Sequence, residues 1–187
     1  MQKQQYFSND DFYLLRKHIK FMHNKAINQI KNSNNPLNIL EIGPALDVHY
    51  EEFDVSSKKD SFKKTNHKYQ TLDLQGGHDF IGSIEDIDLP AENFDLIIAL
   101  SVLEHVNSLE SAANNLSRIT KIGGKVYLQT PFLFKVHGPI PDNWRISEYG
   151  YKALFSDNFY IEMDSLPKDE FGKNSKALSY GAILTKK

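Results

Sequence analysis

Cysteine is absent from the 187-residue chain, which excludes disulfide frameworks, zinc–thiolate centres and thiol catalysis. No uncharged run reaches the ~20 residues that span a bilayer. The polar start Met1-Gln-Lys-Gln-Gln lacks the apolar stretch of a secretory signal, so a soluble, cytoplasmic protein is expected. Charge of one sign is also missing. Lys and Arg number 22 against 24 Asp and Glu, a formal net charge of -2, without the basic excess of a dedicated nucleic-acid binder. Internal repeats and low-complexity tracts are lacking too. What remains is 40% hydrophobic and 25% charged, enough for a real core. The length fits one domain over residues 1–187, with 1–35 as an N-terminal helical extension.

That extension is the first clear element. Phe12, Leu15, Ile19, Met22, Ala26 and Ile30 recur at steps of three or four, which predicts an amphipathic helix over 9–30. Ser8 and Asn9 are its candidate caps, and the turn formers before Pro36 end it. Short apolar runs then predict strands at 37–42, 69–73, 79–82, 94–100, 125–130, 159–163 and 177–185, with 166–175 as a long connection. Helices are predicted at 108–119, closed by Gly123-Gly124, and at 147–155. Strands alternating with helices imply an α/β fold with parallel pairing. The last two strands, joined without a helix, can pair antiparallel at one edge. The Lys-rich stretch 58–68 reads as a solvated surface insertion.

In an open parallel sheet, ligands bind outside the carboxyl ends of the strands, where the strand order reverses. The candidates are therefore Glu41, Gly43 and Ala45 after the first strand, Asp73 on the second, Gly82-Ser83-Ile84 on the third, and Leu100-Ser101 on the fourth. A carboxylate at a strand tip can accept both hydroxyls of a ribose. A dinucleotide cradle needs G-x-G-x-x-G; here Ala45 occupies the second glycine position, which disfavours a nicotinamide oxidoreductase.

Six segments in order, Ile39-Leu-Glu-Ile-Gly-Pro-Ala45, Asp73, Asp79-Phe-Ile-Gly-Ser-Ile-Glu-Asp86 with Leu89-Pro90, Asn93-Phe-Asp-Leu-Ile-Ile98, Val102-Leu-Glu-His-Val106 and Ile122-Gly-Gly-Lys-Val126, carry a family resemblance. Over 37–159 the chain resembles the class I S-adenosylmethionine-dependent methyltransferases, close to the small type 11 domain group. The resemblance implies a Rossmann-like seven-stranded sheet, mostly parallel with an antiparallel last strand and helices on both faces. It implies S-adenosylmethionine as cofactor. Glu41 and the Gly43–Ala45 loop would face its amino-acid end, and Asp73, followed by Leu74, would hold the ribose hydroxyls. Ser83 and Ile84 would border the adenine, and Leu100 and Ser101 would lie by the methionine and methyl group. The chain departs from the family in lacking later glycines in the first loop and in having Ser83 for the adenine-side acid. The span from Gly43 to Asp73 is also about ten residues long for the family. The thinned glycine loop keeps one alternative open, a catalytically degenerate binding or scaffold protein on the same fold.

The stretch 136–146 holds the sole Trp, two prolines and a His, Asp and Arg. It resembles a P-F-x-x-x-x-H-G-x-P-x-D-x-W-R segment of bacterial methyltransferases, several associated with sugar or polysaccharide pathways. That implies O-methylation of a small-molecule or glycan-like acceptor. Methyl transfer to a hydroxyl needs proximity and a base. His137 is the first candidate, because imidazole is available near neutral pH. Asp142 can orient it, Arg145 can bind an anionic acceptor or pair with Asp142, and Trp144 reads as packing. His105, next to Glu104, follows the fourth strand at the level where the acceptor arrives. Some quinone and RNA methyltransferases of the superfamily use Glu-x-x-Glu-His as a metal site. Here Ser101 replaces the first Glu, leaving Glu104, His105 and His137, and no resident metal is expected.

Overall fold

The periodic apolar residues of 9–30 do form a helix, α1 (Asn9–Lys31). The computed structural model describes residues 9–44, 58–60, 62, 65–165 and 177–187. Ala45, the Ser8 cap and the connection 166–175 lie outside these described residues. Met22, Ala26 and Ile30 are buried in one cluster with Ile39, Leu96, Ile98, Tyr127 and Ile183, so α1 covers one face of the sheet.

The strands are β1 (Asn38–Ile42), β2 (Lys68–Asp73), β3 (Phe80–Ile81), β4 (Phe94–Leu100), β5 (Thr120–Pro131), β6 (Phe159–Ser165) and β7 (Ser179–Lys186). They form one seven-stranded sheet in the order β3-β2-β1-β4-β5-β7-β6. β1 to β5 pair in parallel. β7 lies between β5 and β6 and runs antiparallel to both. The other face is covered by α2 (Leu109–Ile119) and α3 (Glu148–Phe155), whose Leu116, Ile119, Tyr151 and Phe155 pack on Leu40, Ile97, Val126 and Leu128. Side chains alternate along β1, so Leu40 and Ile42 face α2 while Ile39 and Glu41 face α1. Both short helices start on a serine cap: Ser108 accepts from the Ser111 amide and Ser147 from the Gly150 amide.

Two expectations are corrected. The Gly123-Gly124 pair does not end α2. That helix stops at Ile119, where Thr120 turns extended and its hydroxyl donates to the Leu116 carbonyl at 2.6 Å. The glycines fall inside β5 at a register shift, in which the step from Phe94 to Leu96 is matched by the step from Thr120 to Lys125. Gly124 is needed there, because a Cβ would sit 2.8 Å from the Lys121 carbonyl oxygen. Secondly, Lys58 is not on a solvated surface. It is buried, with its Nζ 2.6 Å from Glu41 Oε2, because a carboxylate inside a central strand has to find a cation or a donor. The phenol of Tyr69 donates to the same oxygen.

α1 is pinned to β7 by close contact. A Cβ on Gly181 would lie 2.9 Å from Met22 Sδ and 3.1 Å from His18 Nε2. His18 is fully buried, and its Nδ1 is hydrogen-bonded to the Ser179 hydroxyl at 2.5 Å. Burial holds its pKa down at about 4, against the opposing pull of Asp164; Lys25, ion-paired to Asp164, adds to the lowering. Below the ordinary value of 6.5 the unfolded chain takes up a proton that the folded chain refuses until about pH 4. Stability is therefore whole above pH 6.5 and declines as the pH falls towards 4, by about 3 kcal/mol in all. Chemical denaturation of wild type and His18→Gln at several pH values checks this: the variant's stability should fall less steeply across that window.

Candidate functional site

The order of the sheet reverses between β1 and β4. β1 leads outward to β2 and β3, whereas β4 leads to β5 on the other side. Crossovers on opposite sides leave a crevice at the carboxyl ends of these strands. A cavity of about 440 Å³ occupies it, lined by Ile42, Gly43, Asp73, Leu74, Gly82, Ser83, Ile84, Ser101, Val102 and His105, with Pro139 and Pro141 on the far wall.

Gly43 makes the floor possible. Its amide donates to the Leu72 carbonyl at 2.9 Å, and its φ of 60° is the left-handed conformation that glycine tolerates. A Cβ here would come within 2.9 Å of Val102. Asp73 ends β2 half-buried, and its Oδ1 accepts the Gln75 amide at 2.9 Å. Ser83 donates to Glu85 Oε2 at 3.1 Å, while Glu85 Oε1 accepts the amides of Asn107 (3.0 Å) and Ser108 (2.7 Å) at the start of α2. Glu85 also lines the cavity, so a carboxylate does stand on that wall, two residues beyond the expected position. The sequence offered it only as part of a longer motif. Ser101 also has a left-handed φ, 54°, and its hydroxyl donates to Gln129 Oε1 at 2.9 Å.

Two proposed cofactor contacts point elsewhere. Glu41 belongs to the α1-facing side of β1 and its carboxylate is taken up by Lys58 and Tyr69, with His23 Nε2 at 3.9 Å from Oε1. Leu100 packs on the same α1-facing cluster. The two-residue period of the strands turns both away from the cavity.

The loop after β5 folds back onto the turn after β4. The amides of Asn143 (2.7 Å) and Trp144 (3.1 Å) donate to the Glu104 carbonyl, and the Asn143 side-chain amide (2.9 Å) and the Trp144 indole N–H (2.8 Å) to the Val106 carbonyl. Arg145 grips Asp142 in a fork, Nη1 to Oδ1 at 2.5 Å and Nη2 to Oδ2 at 2.7 Å. Its remaining N–H groups go to the carbonyls of Phe134, Lys135 and Trp144. Arg145 is thus spent on the loop, and of its two expected roles the pairing with Asp142 is the one the geometry supports. The guanidinium holds the Asp142 carboxyl well below the usual carboxylate range.

This staple brings three side chains together. His105 Nδ1 donates to the Pro141 carbonyl at 2.8 Å, which fixes the tautomer and leaves Nε2 as the bare nitrogen. His137 Nδ1 lies 2.9 Å from Asp142 Oδ2, close but off the hydrogen-bond line; the same oxygen accepts the His137 backbone amide at 2.9 Å. Both Nε2 atoms stand 3.8 Å from Glu104 Oε1. Glu104 is wholly buried, and its carboxyl lies beside its own backbone amide and the Ser101 side chain without a well-formed hydrogen bond among the described residues. Burial pushes its pKa up to about 8 and lowers that of His105. Of the two imidazoles, His105 lines the cavity and His137 stands behind it, the reverse of the order in which the sequence ranks them.

Asp142→Asn leaves the guanidinium without its anion and should destabilise the protein by about 3 kcal/mol. Urea denaturation measures this, and an unchanged midpoint would show that the loop is held by its backbone contacts alone.

Residues 40–128 match the methyltransferase domain family. No curated protein matches the chain. Among solved structures, the PH0226 protein from Pyrococcus horikoshii is similar at a TM-score of 0.61 and 13% identity, over 92% of this chain and 91% of that one. A SAM-dependent methyltransferase from Methanosarcina mazei is similar at 0.55 and 13%, over 83% and 95%. The citrinin polyketide synthase CMeT domain is similar at 0.62 and 13%, over 91% of this chain and 52% of that one. At such identities the structures speak for the fold. The family match falls on the segment that builds β1 to β5 and the crevice between them, so residues 40–128 carry a methyltransferase domain on a sheet of the S-adenosylmethionine-dependent methyltransferase fold.

Proposed function

We propose that the enzyme methylates a hydroxyl of a small, glycan-like acceptor, with the cofactor in the 440 Å³ cavity and the acceptor entering beside His105. S-adenosylmethionine, when bound, supplies a methyl group on a positively charged sulfur. The residues present fit it. The volume lies in the range of small-molecule sites, the bare backbone at Gly43 lets a ligand approach where a Cβ would clash, and Asp73 offers a carboxylate at the wall. Asp73 would accept the ribose hydroxyls, Ser83 and Ile84 would border the adenine, and Ser101 would lie by the methionine end.

The observation that carries the acceptor reading is the tautomer of His105. A nitrogen with a lone pair on a cavity wall can take the proton of an incoming hydroxyl, and the donated hydrogen bond to Pro141 holds the ring in place. His137 supports it from behind, oriented by the Asp142–Arg145 pair. The likeness of the 136–146 loop to that of sugar-pathway methyltransferases supports an acceptor rich in hydroxyls.

Titration calorimetry with S-adenosylhomocysteine tests the cofactor half. Asp73→Ala should weaken binding by about tenfold or more, since hydrogen bonds to a charged group are lost. Unchanged affinity removes Asp73 from the site, and no heat with wild type returns the chain to a degenerate binding protein. For the acceptor half, methyl transfer to a panel of hydroxyl compounds is followed by mass spectrometry. His105→Ala should keep cofactor affinity while turnover falls by about 10²–10⁴; His137→Ala should do the same more weakly. A product methylated on carbon overturns the hydroxyl assignment.

A further inference from the structure

We infer that Phe12, in the first turns of α1, is a positioning residue for His137, which makes the N-terminal helix a working part of the crevice wall. His137 is held by its backbone and not by its ring nitrogens. Its amide donates to Asp142 Oδ2 at 2.9 Å. Nδ1 lies 2.9 Å from the same oxygen but off the hydrogen-bond line, and Nε2 stands 3.8 Å from Glu104 Oε1. The hydrogen bonds that dock the loop therefore leave the tilt of this imidazole open, and packing has to set it.

The packing is aromatic and runs in a line. Phe134 meets His137 edge to face, with ring centroids 5.4 Å apart at 84°, and Phe12 meets Phe134 at 4.8 Å and 87°. On its other side His137 meets His105, the ring on the cavity wall, at 5.3 Å and 62°. These are separations and angles at which aromatic quadrupoles attract. Four rings thus lead from α1 to the cavity, and each limits the tilt of the next.

Phe12 is the fixed end of the line. Met22, Ala26 and Ile30 seat the later turns of α1 on the sheet, and its first turns reach the loop that leaves β5. There Leu15 is buried with Phe134 and Leu178, and Phe12 packs against that cluster. The Phe132 amide donates to the Leu178 carbonyl at 2.8 Å, which ties the start of the loop down beside it. Lys135 Nζ lies 4.4 Å from the centroid of the Phe12 ring, a cation–π contact. Phe134 and Lys135 are clamped from two directions. Arg145 takes their carbonyls at 3.2 and 3.0 Å, and Phe12 takes their side chains. Without the Phe12 ring, Phe134 keeps its backbone anchor and loses the contact that fixes its own tilt. The effect on turnover rests on the hydroxyl-methylation reading, in which His137 supports the base; the placement of the ring does not.

The test uses the full chain. The ring-proton resonances of His137, identified by their loss in His137→Ala, are recorded by NMR in wild type, Phe12→Leu and Phe12→Tyr. They should move in Phe12→Leu, which keeps the apolar bulk and should fold, and stay near the wild-type position in Phe12→Tyr, which keeps a ring. Methyl transfer and S-adenosylhomocysteine affinity are measured on the same samples. Phe12→Leu should lower kcat by about tenfold while cofactor affinity is kept. In a His137→Ala background it should have no further effect, because it acts through that ring. Unmoved resonances in Phe12→Leu, or the same fall in kcat with and without the imidazole, overturn the inference. Resonances that move although wild type methylates no hydroxyl compound leave the placement standing and remove the hydroxyl-methylation reading; a methylated hydroxyl with unmoved resonances does the reverse.

Discussion

The loop side of the crevice depends on two carbonyl groups. The backbone oxygens of Glu104 and Val106, in the turn after β4, each receive two N–H groups from Asn143 and Trp144. Four hydrogen bonds of this kind fasten an irregular, proline-bearing loop to the tip of the central strand. A loop this far from its anchor in sequence loses much conformational entropy on ordering, and multiple bonds to rigid backbone offset it. The Asp142–Arg145 fork then only has to shape a loop that is already docked. His137, the Glu104 carboxylate and the cavity walls at Pro139 and Pro141 all take their positions from this attachment.

The opposite side of the crevice is built differently. There the backbone of Gly43 and Ser101 turns left-handed at the ends of β1 and β4, the two strands at which the sheet order reverses. Strain in the left-handed region costs little for glycine and more for serine. Ser101 is secured by its amide to the Gln129 carbonyl at 2.8 Å and its hydroxyl to the Gln129 side chain at 2.9 Å. One wall is thus made from backbone turns and the other from a docked loop. Two walls specified separately let a common sheet carry different sites.

Much of this was legible in the chain. Strand periodicity and the apolar run at 94–100 led to the sheet, and Gly43, Asp73, Ser83 and Ser101 came from the rule that ligands meet strand tips. The failures share a physical cause. Which way Glu41 and Leu100 face depends on strand phase, and a run that is apolar on both sides does not reveal it. The burial of Lys58 follows from a partner seventeen positions away, and the stop of α2 at Thr120 from a side-chain cap that outweighs the nearby glycines. His105 and His137 were both visible as residues. Their order across the cavity was not, because it is set by the Pro141 carbonyl and by where a distant loop lands.

Gly181 has a consequence for variation among relatives. Its bare Cα faces the side-chain ends of Met22 and His18 so closely that any side chain there would have to push them aside. Strand and helix meet here through an omission. Across related sequences, positions 18, 22 and 181 should drift as one unit. A lineage that gained a side chain at 181 would have to shrink or re-orient its two neighbours on α1 at the same time.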